Sequence, residues 1–125
     1  MNDNEYAFGK FIEERRKALG FTLRGFAAEL EIAPAYMSDI EKGRRYPPEK
    51  KMDEIARILK LNDTEKTDML DLAAMTKTKT VSSDLPEYIM EKDLARVALR
   101  RAKAGELSDE GWQEVIDLIN KKIDE

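Results

Sequence analysis

The chain has 125 residues and a formal net charge of −4, and contains neither cysteine nor histidine. Without cysteine there is no disulfide framework and no thiolate metal site, and without histidine the commonest general base and metal ligand is missing. No carboxylate pair, glycine-rich phosphate loop or nucleophile motif takes their place, so a non-enzyme that needs no cofactor is expected.

Hydrophobic residues at 42% and charged residues at 38% suit a helical protein with a modest core. No apolar run is long enough to span a membrane. The N-terminus, Met1-Asn2-Asp3-Asn4-Glu5, is polar and acidic, unlike a signal peptide, so the expected location is the cytoplasm. The negative charge is unevenly spread. Residues 1–80 hold 15 basic and 15 acidic side chains, whereas residues 81–125 hold 7 and 11. Between Lys42 and Lys51 five cations (Lys42, Arg44, Arg45, Lys50, Lys51) face Glu49 alone. A local patch of this kind outweighs the total, because charges farther off than a Debye length of about 8 Å are largely screened.

In chain order, residues 1–5 read as a lead-in. Phe8, Phe11, Ile12, Arg15 and Leu19 follow a helical repeat, so the first helix is expected over 6–19, stopped by Gly20. Arg15, Arg16 and Lys17 near its end read as a solvated face complementing the helix dipole, or as a phosphate contact. Thr22 can cap a second helix whose inner face is Leu23, Phe26, Ala27 and Leu30. Glu31-Ile32-Ala33 makes a joint. Pro34 suits the first turn of a third helix, Met37 and Ile40 give its buried side, and Gly43 fits a left-handed cap.

The stretch from Thr22 to Arg45 resembles the helix-turn-helix of the phage Cro and repressor type, the XRE family. Thr22, Phe26, Ala27, Leu30, Ile32, Pro34, Tyr36, Ser38, Ile40, Glu41 and Gly43 carry the likeness, which covers roughly residues 6–75. It implies an all-α fold: a five-helix, lambda-repressor-like domain whose third helix enters the major groove of double-stranded DNA. By position the base readers are Pro34, Ala35, Ser38 and Asp39. Pro34 and Ala35 offer apolar contact to a thymine methyl, Ser38 donates or accepts, and Asp39 can accept from a cytosine amino group. Asp39 has a second reading, as an ion partner of Arg44 or Lys42. The resemblance places Lys42, Arg44 and Arg45 on the DNA backbone, where contacts position rather than specify. Arg24 sits at a helix start that disfavours a cation, which a phosphate would explain and a surface accident would explain as well. Tyr36 offers a hydroxyl to phosphate or is part-buried between helices. One departure is Leu23, where relatives often carry glutamine.

Tyr46-Pro47-Pro48 reads as a connector. Met52, Ile55, Ile58 and Leu59 mark a fourth helix, and Asn62 with Glu65 forms a capping box for a fifth, with Met69, Leu70, Leu72 and Ala73 inward. These give a DNA-binding domain over 1–75. The Ser/Thr-rich 76–84 reads as a linker or as an extended arm. From 85 onward a helical hairpin is expected: a long helix from Leu85-Pro86 to about Ala104, then, after Gly105, a helix capped by Ser108. Val97 on the first arm and Trp112, Val115, Ile116 and Ile119 on the second form an apolar stripe. Two helices alone bury little, so this stripe packs on its own domain, on a second subunit, or on another protein. The resemblance implies a transcriptional regulator, a repressor acting as a homodimer on a palindromic operator. Its alternative is an antitoxin-like or partner-regulated protein whose hairpin holds another protein while DNA binding serves autoregulation.

Overall fold

The computed structural model describes residues 4–77 and 80–125. Residues 1–3 of the expected lead-in, and Thr78 and Lys79 of the expected linker, lie outside them. The described residues form eight α-helices and no strand: α1 (Asn4–Ala18), α2 (Leu23–Glu29), α3 (Pro34–Glu41), α4 (Met52–Ile58), α5 (Asp63–Met75), α6 (Pro86–Glu91), α7 (Asp93–Ala104) and α8 (Asp109–Ile123), with one 3₁₀ turn at Glu49–Lys51. The chain divides into two compact units, Met1–Pro86 and Glu87–Glu125.

In the first unit the apolar repeats meet in one core. Phe8 and Ile12 of α1, Phe26 and Leu30 from α2, Met37 and Ile40 of α3, Ile55 and Leu59 from α4, and Met69 of α5 are fully buried. Each such side chain is worth roughly 1.5–3 kcal/mol relative to exposure. Ile32, expected inside, is half-buried at the edge of this cluster.

The helix ends follow local chemistry. Thr22 accepts a hydrogen bond from the Gly25 amide at 2.9 Å. Asn62 and Glu65 exchange both bonds of a capping box, at 2.8 and 2.9 Å. Gly20 and Gly43 take positive φ, +80° and +76°, just after α1 and α3. Two other helices of this unit end without glycine: Glu31 at φ +58° closes α2 and Lys60 at φ +55° closes α4. The three cations at the end of α1 do not form a common solvated face. Arg16 is buried. Arg15 donates to the Leu59 and Lys60 carbonyls at 2.9 and 3.0 Å, satisfying the end of α4. Only Lys17 stays largely in solvent, paired with Glu13 one turn back.

After α5 the chain doubles back along this unit. Ser82 is buried and its hydroxyl donates to the Asp71 carboxylate.

The second unit differs from expectation in one element. The long helix expected from 85 to about 104 is broken at Lys92, which is extended at φ −115°, ψ 96°. Arg96 explains why the break is tolerated: it donates to the Ile89 and Met90 carbonyls exposed at the end of α6, and it also pairs with Asp93. Ser108 caps α8 through the Gly111 amide at 3.0 Å. No side chain of α6, α7 or α8 is fully buried.

Candidate nucleic-acid interface

The geometry of α3 is set from behind. Glu41, in its last turn, is buried against Arg16 of α1. Arg16 Nε and Nη2 donate to the two Glu41 carboxylate oxygens at 2.7 and 3.0 Å, and Nη1 donates to the Phe21 carbonyl at 2.9 Å. This two-bond fork fixes distance and orientation together. The hydrogen bonds it donates to Glu41 hold the Arg16 guanidinium protonated above its ordinary range, against the opposing effect of burial. Gly9 lets the two helices approach: a Cβ there would lie 2.4 Å from the Glu41 carbonyl oxygen and 2.6 Å from that of Ile40. The other end of the motif is tied by Lys51, whose ammonium donates to the Leu30 carbonyl at 2.9 Å.

With its inner side fixed, α3 leaves Pro34 and Ala35 exposed, and Ser38 and Asp39 sit half-buried beside them. The turn at Gly43 then folds the chain back. The Gly43 amide donates to the Ile40 carbonyl and the Arg44 amide to the Asp39 carbonyl, at 3.2 and 2.8 Å. This delivers both arginines to the same end of α3. Arg44 Nη1 lies 4.0 Å and Arg45 Nε 3.7 Å from the Asp39 carboxylate. The Arg45 guanidinium also stands over the Tyr36 ring, 4.9 Å from its centroid. Lys42 is exposed nearby.

Tyr36, Asp39, Arg44 and Arg45 are thus brought into one cluster. Tyr36, Arg44 and Arg45 line an open cavity of about 630 Å³ with Gly43, Tyr46, Pro47 and Thr76. Arg24 lies exposed at the start of α2, with no ion-pair partner among the described residues. Lys77, which sequence reading did not single out, stands 4.7 Å from the centroid of the Tyr46 ring and 3.4 Å from Glu49. Its position depends on how the chain leaves α5, which no local pattern announces. Arg16 and Gly9 were also missed as supports of the site. A glycine in the middle of an apolar-periodic helix was the available signal for close approach.

In the second unit, Val97, Trp112, Ile116 and Ile119 are exposed, at 46%, 36%, 47% and 50%, and Val115 is half-buried. Trp112 and Val115 line a cavity of about 310 Å³ at the hairpin turn with Ala98, Ala102, Gly105 and Leu107. Among the described residues no helix is long and apolar enough to cross a membrane.

A family model described as a helix-turn-helix domain matches residues 7–69. No curated protein matches the chain. A chain in the solved SinR protein/SinI protein complex is similar to this one at 18% identity and a TM-score of 0.46, covering 94% of this chain and 99% of that one. On the family match and the α2–α3 geometry, the chain belongs to the helix-turn-helix domain family of the XRE type, a family of DNA-binding proteins.

Proposed function

We propose that the protein is a sequence-specific transcriptional regulator, a repressor that binds a palindromic operator as a homodimer. One observation carries the reading: Pro34 and Ala35 on the outer face of α3 stay exposed outside the core, and the Gly43 turn sets Arg44 and Arg45 at its end. A core needs Met37 and Ile40 from this helix and nothing from Pro34, Ala35 or Ser38. An α-helix fits the major groove, and flanking guanidiniums suit the phosphates that border it. The face is poor in bidentate donors, so discrimination falls on a few bases, bound water and DNA shape. Nothing in this reading calls for catalysis, and the cytoplasm is its proposed setting.

The apolar stripe of α7 and α8 supports a second subunit. Ile119 and Ile123 are 50% and 73% exposed, on helices that bury no side chain fully. Two-fold pairing would present two α3 helices to half-sites about one DNA turn, roughly 34 Å, apart. The same stripe supports the alternative, a hairpin that holds a different protein while DNA binding serves autoregulation.

Unbiased selection from a random duplex library with the purified protein tests the reading. Enrichment of a palindrome with half-sites one turn apart is expected. Retention of DNA with no enriched motif contradicts sequence-specific regulation and moves the weight to the partner-holding alternative.

A further inference from the structure

Asp39 is an acid on the face of α3 assigned above to DNA, beside phosphates that repel it. Both of its oxygens are engaged within the chain: Oδ1 lies 4.0 Å from Arg44 Nη1 and Oδ2 lies 3.7 Å from Arg45 Nε. The backbone enforces this pairing. The Arg44 amide bonds to the Asp39 carbonyl, and Gly43 at φ +76° brings the chain back over the last turn of α3. Tyr36 steadies Arg45 through its ring.

The pairing is loose in two respects. Both distances exceed hydrogen-bonding range. The Arg44 and Arg45 side chains keep 70% and 56% of their exposure, so a phosphate oxygen can reach them. Guanidinium forks match phosphate bidentately. The two arginines therefore have two competing anions, one built into the protein and one on DNA.

We propose that Asp39 is a brake on DNA-backbone binding rather than a base reader. Its carboxylate competes with phosphate for Arg44 and Arg45 and lowers the affinity for every duplex alike. When the arginines move to DNA, the deserted carboxylate takes up a cation and offsets about one of the counterions released. Because both kinds of site are weakened equally, the brake sets the strength and salt dependence of binding and leaves the choice of site unchanged. The inference rests on the DNA-binding reading above and adds the residue that sets its strength.

The test is Asp39→Asn, an isosteric change at a half-exposed position, titrated against a random-sequence duplex and a duplex enriched by selection. Arg44→Gln/Arg45→Gln with and without Asp39→Asn completes a double-mutant cycle. A brake predicts that Asp39→Asn tightens both duplexes by a similar factor, roughly two- to fivefold. It also predicts a log-affinity against log-salt slope steeper by about one, and a gain that shrinks when both arginines are gone. Weakened binding confined to the enriched duplex makes Asp39 a base reader and overturns the proposal. No gain on either duplex overturns it. An equal gain with and without the arginines reduces Asp39 to a repulsive charge and overturns it too. If the unaltered protein binds no duplex, the DNA reading falls and the brake with it.

Discussion

Arg16 of α1 and Glu41 of α3 form a buried fork, 2.7 and 3.0 Å, between the first helix and the helix proposed to meet DNA. The side chains retain 9% and 4% of their exposure. Removing one partner from such a pair strands a charge in the core. Glu41→Gln or Arg16→Met is expected to lower stability by about 3–5 kcal/mol, read from urea unfolding. The paired change Arg16→Met/Glu41→Leu should recover a large part of that loss, because it strands nothing. A loss below about 1 kcal/mol for either single change would show that water reaches the pair.

Gly9 and the end of α3 are close enough for backbone alone. In a helix interior alanine is ordinarily better than glycine by about 1 kcal/mol. Here the added Cβ would meet two carbonyl oxygens at 2.4 and 2.6 Å, and backbone cannot swing aside as a flexible side chain can. The clash wins. Gly9→Ala is expected to destabilise by about 1–3 kcal/mol and to weaken DNA binding by displacing α3. A rise in melting temperature would contradict that geometry.

Glu31 closes α2 at φ +58° and Glu106 closes α7 at φ +49°. A left-handed conformation costs a side-chain-bearing residue about 1–2 kcal/mol, partly offset by the greater chain entropy glycine loses on folding. Glu31→Gly and Glu106→Gly should each stabilise by about 0.5–1 kcal/mol. Scanning calorimetry checks this. The first change should act on the helix-turn-helix unit and the second on the hairpin.

Trp112 is the chain's single tryptophan and is 36% exposed in one copy. Burial by a second subunit would shift its emission to the blue as concentration rises. Ile119→Glu should abolish the shift and hold the protein as a monomer in sedimentation. Emission that stays constant in a protein sedimenting as a monomer at all concentrations would leave the stripe to another protein.

The core was legible because its signal is periodic. Phe8, Ile12, Phe26, Leu30, Met37, Ile40, Ile55, Leu59 and Met69 recur at helical spacing and all are buried. Thr22, Asn62 and Ser108 were legible as caps because the capping bond joins residues three apart. What escaped was long-range or idiosyncratic. Arg16 and Glu41 are 25 positions apart, and nothing in either neighbourhood distinguishes a buried arginine from the solvated Lys17 beside it. The break at Lys92 follows no glycine or proline; it depends on Arg96 reaching back to Ile89. Within the candidate site, the outward residues of α3 followed from helical geometry. The pairing of Asp39 with both arginines depended on how the Gly43 turn closes.

The outward face of α3 and the Gly43 turn are proposed to dock on duplex DNA. The most direct measurement is the affinity of Arg44→Glu/Arg45→Glu for a duplex that the unaltered protein binds, at physiological salt, with circular dichroism on the same samples. An unchanged helical spectrum, a loss of affinity of about tenfold or more, and a shallower salt dependence than the unaltered protein shows are expected. Equal affinity with the fold intact would contradict it and place the DNA contact, if there is one, on another face.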